Sequence, residues 1–361
     1  MHVNRKLQIA MAATALALVS PLVTGSASAA SHLPPCLGKK VTIRGTKHAD
    51  NIVGTKHADV ISTIGGNDTV QALGGNDRIC TGSGSDTVIG GPGNDEMIGN
   101  SGGDVLIGDF RNSSRTGSGA DFIRGGAGAD IVVGDVYNRN GEARGTGNDI
   151  LQAGGGVDIV VGDGYSKNGP ARGSGDDSID TGPARDLGVG DALAPLDARG
   201  SGGDDIEGED AGDLLVGDAM VTGAGTAVGA GHDIFHGDTG ADHIVGDSFA
   251  RHGDARGAGR DYGTGGSGDD LIVGDSAAGK VASGRGGKDR FIGNRGDDVL
   301  IGDMEALAKG AKLSGGGSDR LRGGRRNDTF VAGPGNDTCQ GGTGHDRDAS
   351  HPHCENRSSI P

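Results

Sequence analysis

The sequence predicts an all-β fold: a solenoid of parallel strands with two thin sheets, about twelve coils, and inserted loops on one edge. An apolar residue stands two places after most members of a regular series of aspartates. A strict nine-residue period fits neither a helix nor an ordinary series of strands, but it fits a coil in which one tight turn and one short strand repeat. The series begins with Asp50, Asp59, Asp68, Asp77, Asp86, Asp95 and Asp104.

Composition excludes a conventional core and several classes of partner. The 361 residues include 76 Gly, no Trp and only 2% aromatic residues, so large side chains cannot fill an ordinary interior. The formal charge is −16, or −18 without Arg5 and Lys6. This sign argues against nucleic acid and anionic membranes as partners and favours a cation, because carboxylates stacked at short intervals repel one another. We expect no membrane insertion, since no second apolar segment follows the first.

The first 29 residues have the layout of a secretory signal peptide. Arg5 and Lys6 precede an apolar run at residues 7–19, and the small residues Ala27-Ser28-Ala29 supply a cleavage site. The alternative is a transmembrane anchor, but the run is too short to cross a bilayer. We therefore expect export, with residues 30–44 forming an amino-terminal cap.

After Asp104 the repeats continue in longer units. Pairs of aspartates nine residues apart recur about every 28 residues, which equals two nonapeptides plus ten residues, and the plain period resumes at Asp319. Residues 45–348 then hold 25 nonapeptides, plain at 45–108 and 319–348 and interrupted at 109–318, followed by a cap and tail at 349–361. The insertions precede turns of one parity, so all of them project from the same edge.

Four insertions show how varied these segments are. Two interpretations remain open: solvated surface loops, or an edge that binds a partner. The segments are Tyr137-Asn138-Arg139-Asn140-Gly141, Tyr165-Ser166-Lys167-Asn168-Gly169, Phe249-Ala250-Arg251-His252-Gly253 and Glu305-Ala306-Leu307-Ala308-Lys309.

The eighth place of the nonapeptide predicts the core. It is apolar in 22 of the 25 units, and the exceptions are Gly188, Gly263 and Asp348. Successive side chains of a strand point to opposite faces, so a three-residue strand offers one inward position. The core is therefore a ladder of these residues between two parallel sheets.

The turns follow the pattern Gly-Gly-x-Gly-x-Asp. Glycine occupies the fourth place in 20 of 25 units. Glycines allow positive φ and let carbonyl oxygens point inward, and the aspartate adds a hard anionic oxygen, which together suit Ca²⁺. Full examples are Gly90-Gly91-Pro92-Gly93-Asn94-Asp95, Gly125-Gly126-Ala127-Gly128-Ala129-Asp130, Gly265-Gly266-Ser267-Gly268-Asp269-Asp270 and Gly341-Gly342-Thr343-Gly344-His345-Asp346.

These turns resemble the repeats-in-toxin, or haemolysin-type, calcium-binding family. The resemblance implies a parallel β-roll that binds multiple Ca²⁺ ions between consecutive turns, through backbone carbonyls and the sixth-place aspartate. The ligands that it implies are Asp68, Asp77, Asp86, Asp95, Asp104, Asp121, Asp130, Asp149, Asp158, Asp177, Asp204, Asp233, Asp242, Asp261, Asp270, Asp289, Asp298, Asp319, Asp337 and Asp346.

Some turns depart from the family pattern. The turns before Asp50 and Asp59 carry Lys and His, so they resemble a cap with weak or absent metal. Three further turns lack the fourth glycine; they end at Asp186, Asp213 and Asp328, with Ala184, Ala211 and Arg326 in its place.

In the long units a Gly-Asp pair follows the strand, where the second glycine of the next turn should stand. We expect its carboxylate to replace a lost carbonyl in a modified calcium site; the alternative is an aspartate that caps a turn through the backbone. These weaker candidates are Asp135, Asp163, Asp191, Asp218, Asp247, Asp275 and Asp303, with Asp109 in the same place.

Four cysteines, one pair near each end, suggest disulfides in an exported chain. Of three connectivities, Cys36 with Cys80 and Cys339 with Cys354 needs only local contacts and would hold both ends of the solenoid. The alternative is a zinc site that uses His351 and His353 beside Cys354.

The sequence favours a secreted calcium-binding protein that folds when Ca²⁺ binds and serves as a structural module. The alternative is a calcium-dependent adhesin for a cell surface or polysaccharide. We expect no enzyme, because the chain contains no His-Glu-x-x-His motif and its histidines follow no regular spacing.

Overall fold

The computed structural model describes residues 36–284, 286–349 and 354–358, and every element within them is a β-strand. The predicted signal peptide at residues 1–29 lies outside the described residues, as do His351 and His353. No helix in the described part is long and apolar enough to span a membrane. The named strands pair in parallel, which confirms the all-β parallel solenoid.

Two long sheets form the roll, with 14 and 13 strands against about twelve expected coils. The first sheet contains β1 (Ile43–Arg44), β3 (Val60–Ser62), β5 (Arg78–Ser83), β7 (Glu96–Ser101), β10 (Phe122–Ala127), β14 (Ile150–Gly155), β18 (Ser178–Asp180), β22 (Asp205–Glu207), β26 (Ile234–His236), β30 (Tyr262–Ser267), β34 (Arg290–Arg295), β38 (Arg320–Arg325), β40 (Thr338–Thr343) and β42 (Asn356–Ser358). The second contains β2 (Asn51–Val53), β4 (Thr69–Gln71), β6 (Thr87–Ile89), β8 (Val105–Ile107), β11 (Ile131–Val133), β15 (Ile159–Val161), β19 (Leu187–Val189), β23 (Leu214–Val216), β27 (His243–Val245), β31 (Leu271–Val273), β35 (Val299–Ile301), β39 (Thr329–Val331) and β41 (Arg347–Asp348).

The insertions form two additional parallel sheets. An eight-stranded sheet contains β9 (Phe110–Arg111), β12 (Val136–Asn138), β16 (Gly164–Ser166), β20 (Ala192–Ala194), β24 (Ala219–Val221), β28 (Ser248–Ala250), β32 (Ser276–Ala278) and β36 (Met304–Ala306). A seven-stranded sheet contains β13 (Ala143–Arg144), β17 (Ala171–Arg172), β21 (Ala198–Arg199), β25 (Thr226–Val228), β29 (Asp254–Gly257), β33 (Val281–Gly284) and β37 (Lys312–Ser314).

The eighth-place residues form the core of the roll, as predicted. Ile52 pairs with Val70 and Val70 with Val88 in the same register, so identical positions stack coil upon coil. From Ile61 onward the apolar eighth-place residues of both sheets are almost fully buried, including Phe235, Phe291 and Phe330 at 0% exposure. Each three-residue strand therefore contributes its middle side chain to the interior.

Gly263, an exception to the apolar eighth place, lies between two phenylalanines. It pairs with Phe235 on one side and Phe291 on the other. A Cβ on Gly263 would lie 2.8 Å from the Phe291 ring. The absence of a side chain at Gly263 thus leaves space for the large rings from the adjacent coils, because the interior has a fixed volume.

The insertions enclose a second, alanine-rich core. Its members come from the eight- and seven-stranded sheets and include Val136, Ala143, Ala171, Ala198 and Ala282. The interpretation of the insertions as solvated loops is wrong for Tyr137, Tyr165 and Phe249, which are 6–8% exposed. It agrees with the exposed residues Ala306, Ala308 and Lys309 of the last of the four insertions.

The inserted strands also contact the roll. Val53, in a plain unit, is 51% exposed, whereas Val133 and Val245 at the equivalent place in long units are fully buried. The rings of His243 in β27 and Phe249 in β28 meet at 5.7 Å between centroids. The outer face of the 13-stranded sheet is thus covered by apolar contact where insertions occur.

Both predicted disulfides are present, Cys36–Cys80 and Cys339–Cys354, with Cα separations of 5.8 and 5.9 Å. At the carboxy end, Asp348 accepts a hydrogen bond from the Cys354 amide and forms an ion pair with Arg357 at 3.2 Å. Its carboxylate therefore ends the apolar column with satisfied polar contacts.

Candidate metal centre

The sixth-place aspartates form two columns, one along each edge of the roll. From Asp68 onward all of them are 3% exposed or less. The edge without insertions carries Asp50, Asp68, Asp86, Asp104, Asp130, Asp158, Asp186, Asp213, Asp242, Asp270, Asp298, Asp328 and Asp346. The insertion-bearing edge carries Asp59, Asp77, Asp95, Asp121, Asp149, Asp177, Asp204, Asp233, Asp261, Asp289, Asp319 and Asp337.

One oxygen of each of these carboxylates from Asp68 onward joins consecutive coils. The backbone N–H of each aspartate donates to Oδ1 of the aspartate one coil later, at 2.7–3.1 Å. At the carboxy end, Asp337 donates instead to Glu355 Oε2 at 2.6 Å. The carboxylates thus extend the backbone ladder through the turns, a role that the residue pattern did not predict.

The second oxygen has no protein partner. From Asp68 to Asp346, Oδ2 of every sixth-place aspartate is buried without a hydrogen-bond partner among the described residues. All twenty predicted ligands share this state. A buried ionised carboxylate is costly unless paired, so these oxygens call for a cation or a proton.

The electrostatics follow from this burial. Burial raises the pKa of Asp95, Asp158 and Asp270 to about 7. At Asp121, burial together with repulsion from Asp149 raises the pKa to about 10. Without a cation, the folded chain would therefore favour protonated carboxyls on both edges.

In the first two turns, unlike the later ones, Oδ2 of the sixth-place aspartate has a hydrogen-bond partner, which agrees with the interpretation of these turns as a cap. Asp50 Oδ2 accepts the amide of Thr46 at 2.5 Å, and Asp59 Oδ2 accepts that of Thr55 at 2.7 Å. The Thr46 hydroxyl also donates to Asp50 Oδ1 at 3.3 Å, so Thr46 supplies donors to both oxygens of that carboxylate. At these two turns the oxygen that is orphaned elsewhere already has a protein partner, which leaves it less available to a metal ion.

The turns that lack the fourth glycine keep the same arrangement. Ala211 and Arg326 adopt φ values of 81° and 85° in place of the glycine. Asp186, Asp213 and Asp328 each retain an orphaned, buried Oδ2. The residue pattern set these three aspartates apart, whereas the structure groups them with the other candidates, because stacking on neighbouring coils imposes the turn conformation.

Glycines lie close to many of the sixth-place carboxylates. A Cβ on Gly274 would collide with the carbonyl oxygen of Gly302 and lie 2.7 Å from Asp289 Oδ2. The same collision with a glycine carbonyl and an aspartate oxygen recurs at Gly134 and Gly162. Carboxylate and carbonyl oxygens therefore converge beside these glycines in a cradle of oxygens, which fits Ca²⁺.

Six of the eight Gly-Asp carboxylates lie beside sixth-place aspartates of the insertion-bearing edge. Ligand oxygens of three aspartates lie within 4.8 Å of one another in five triads, and all the members are buried. The triads are Asp109/Asp121/Asp135, Asp135/Asp149/Asp163, Asp163/Asp177/Asp191, Asp191/Asp204/Asp218 and Asp218/Asp233/Asp247.

The remaining Gly-Asp residues follow the turn-capping alternative. Asp275 Oδ1 accepts the Gly287 amide at 2.8 Å, and Asp303 Oδ1 accepts that of Gly317. Neither residue belongs to a triad among the described residues. Backbone amides also donate to Gly-Asp carboxylates within the triads: the Gly147 amide donates to Asp135 Oδ2 and to Asp163 Oδ1, both at 2.9 Å. Turn capping and membership of a triad therefore coexist.

Comparison with known proteins agrees with this geometry. The family described as RTX calcium-binding nonapeptide repeat (4 copies) matches residues 44–79, 53–88, 81–110, 107–136, 145–164, 228–250, 257–278, 282–304 and 313–348, together more than half of the chain. No curated protein matches the chain. The family match and the stacked aspartates both support calcium binding.

Proposed function

Because the chain belongs to the RTX calcium-binding nonapeptide repeat family, we propose that it is a secreted structural module that folds when Ca²⁺ binds. The orphaned Oδ2 at every sixth-place aspartate from Asp68 to Asp346 carries this proposal. A cation at each such oxygen removes the cost of burying it and the repulsion between stacked carboxylates.

The ligands in this proposal are the twenty predicted aspartates, together with Asp186, Asp213 and Asp328. Turn carbonyls complete each site with neutral oxygens. Calcium would supply the positive charge that orders the turns. We assign the chain no catalytic role, and we assign its export to the signal peptide at residues 1–29.

Circular dichroism of the full mature chain with Ca²⁺ and with excess chelator tests the proposal. We expect strand signal in calcium and its loss in chelator, because metal binding supplies the free energy that offsets carboxylate repulsion. A titration with Mg²⁺ is the control, since the rigid octahedral coordination of Mg²⁺ suits such turns less well than Ca²⁺ coordination does. Equal strand content in all three conditions would refute calcium-dependent folding.

A second candidate function is calcium-dependent adhesion to an anionic polysaccharide. The observation that favours it is a cluster of exposed arginines on β34 and β38, here called the arginine surface. Arg290 pairs with Arg320 and Arg295 with Arg325, and Arg322 lies between them. Like charges directly opposite on a sheet are destabilising, so a bound polyanion would relieve them.

Retention on immobilised polygalacturonate in calcium tests the adhesion proposal. We expect the variant Arg290→Ser/Arg320→Ser to elute earlier than the native chain. Arg124→Ser is the matched control, since Arg124 is also exposed on the 14-stranded sheet but lies outside the arginine surface. Unchanged retention of the double variant, or equal binding to neutral dextran, would remove this candidate.

A further inference from the structure

The five triads form one uninterrupted series, here called the aspartate column. Its four inner Gly-Asp residues, Asp135, Asp163, Asp191 and Asp218, each belong to two successive triads. A nonapeptide turn of the plain type supplies only its sixth-place aspartate. The column is therefore a different arrangement, in which consecutive coils share carboxylates.

The column carries buried charge without protein counter-charge. Asp191 and Asp218 are 0% exposed, and neither oxygen of either carboxylate has a hydrogen-bond partner among the described residues. None of the ion pairs of the described residues reaches the column. Such carboxylates cannot stay ionised unless something neutralises them.

We propose that the aspartate column binds five divalent cations, one per triad, and that each inner Gly-Asp carboxylate bridges two neighbouring ions. This inference rests on the proposed calcium-dependent function and adds to it a second class of site. Calcium is the expected ion because every ligand is an oxygen and because glycine carbonyls, such as that of Gly190, lie beside the carboxylates.

Charge balance favours a divalent ion. The five triads contain eleven different aspartates, so the ionised column carries −11. Five divalent cations supply +10 and leave the column nearly neutral, whereas five monovalent cations leave −6. A nearly neutral column is the arrangement that a buried position tolerates.

The position of the column indicates what the ions would do. Strand β15 ends two residues before Asp163, and β16 begins immediately after it. Each Gly-Asp carboxylate thus lies where the chain passes from the roll into an insertion. Ions held there would fix the two additional sheets to the roll, coil by coil.

Substitution by asparagine separates this proposal from simple protonation. Asparagine has the shape of a protonated aspartate, so it leaves a protonated column unchanged but removes a bridging anion. We expect Asp191→Asn to bind two fewer Ca²⁺ ions per chain, because Asp191 belongs to two triads. Asp109→Asn should bind one fewer, because Asp109 belongs to one.

Bound calcium is measured on the full mature chain by equilibrium dialysis and metal analysis, with strand content checked by circular dichroism. Asp275→Asn is the matched control: Asp275 is a buried Gly-Asp residue outside the triads. We expect it to keep the native number of ions. If Asp191→Asn does not fold, the calcium count of Asp109→Asn, at the end of the column, still tests the proposal.

Two results would overturn the proposal that the aspartate column binds ions. One is a native calcium count in Asp191→Asn and Asp109→Asn while the unaltered chain binds calcium. The other is an equal loss in Asp191→Asn and Asp275→Asn, since that would indicate general destabilisation. An unaltered chain that binds no calcium would instead refute the proposed function.

Discussion

Each sixth-place aspartate from Asp68 onward uses its two carboxylate oxygens for different purposes. Oδ1 accepts a backbone N–H from the preceding coil, as between Asp130 and Asp158 at 2.7 Å. Oδ2 has no protein partner among the described residues. The residue is therefore both a structural bond between coils and a candidate metal ligand, so substitutions at this place affect both.

Asp158→Asn tests the ligand role on the edge without insertions. Calcium affinity at that turn should fall about tenfold or more, because even residues that only support a metal ligand commonly cost that much when replaced. Isothermal calorimetry and the thermal midpoint in calcium measure the effect. Asp59→Asn serves as the control, since Thr55 already satisfies Oδ2 there; an equal loss in both variants would contradict the assignment.

Gly162→Ala tests the glycine cradle. The added methyl would collide with the Gly190 carbonyl oxygen and with Asp177 Oδ2. Overpacking of this kind costs about 1–3 kcal/mol, so the free energy of unfolding in calcium should drop by that amount. At Gly155 an added methyl would have no neighbouring atom within 4 Å, so Gly155→Ala should be nearly neutral in the same denaturant titration.

At the scale of elements, the insertions are strands because their residues repeat in register. Ala143, Ala171 and Ala198 stack in the seven-stranded sheet, and small side chains let that sheet approach its partner. A single insertion could not bury its apolar residues, but a stack of them makes a continuous core. The second core therefore depends on the same coil-to-coil pairing as the first.

The terminal strands should depend on the disulfides. Strand β42 pairs only with β40 among the described strands, so it has a neighbour on one side. Cys339→Ser/Cys354→Ser removes a bridge that spans 15 residues, worth about 3 kcal/mol in the loop-entropy account. Hydrogen exchange should then increase at Asn356–Ser358 and leave the middle coils protected; uniform exchange along the chain would argue against local fraying.

At the scale of the molecule, the proposed function implies that carboxylate charge controls folding. The net charge of −16 is concentrated in stacked turns where most aspartates have no cationic partner among the described residues. Calcium and protons compete for these oxygens, and both neutralise them. Solution conditions should therefore shift the whole solenoid rather than one site.

In chelator, the chain should become more ordered as the pH falls. Burial raises the folded-state pKa of Asp298 to about 6 and of Asp158 to about 7, from 3.8. Protonation therefore stabilises the fold fully below the unfolded pKa of 3.8, and this contribution is lost as the pH rises through about 6 to 7. Circular dichroism between pH 4 and 8 measures the change, and a constant signal across that range would contradict it.

The calcium affinity of the folded chain should respond in the opposite direction. Because protonated carboxyls must lose their protons before they bind metal, the calcium concentration that half-saturates the folded chain, measured by calorimetry, should rise at lower pH. The shift should be largest between pH 7 and 5, where carboxyls such as Asp298 and Asp158 titrate. The same titration repeated at high salt separates this effect from general charge screening.

Residue order alone was sufficient to predict the period and the properties that follow locally from it. The spacing of Asp50 to Asp104 predicts the coil, the eighth place predicts the core, and the parity of the insertions predicts that they share an edge. The expected export and the positions of the cysteines together predict both disulfides. These properties lie within a few nonapeptides, where residue type and spacing are informative.

Which residues far apart in the sequence lie close together is fixed by the tertiary structure alone, because contacts between coils exist only in the folded chain. Asp163, Asp177 and Asp191 form a triad although 28 residues separate its ends, whereas Asp275 lies outside every triad of the described residues although it has the same local sequence. The two additional sheets and the turns at Ala211 and Arg326 depend on stacking in the same way. The physical reason is register: carboxylate distances and conformations are set by the neighbouring coil, which local spacing does not specify.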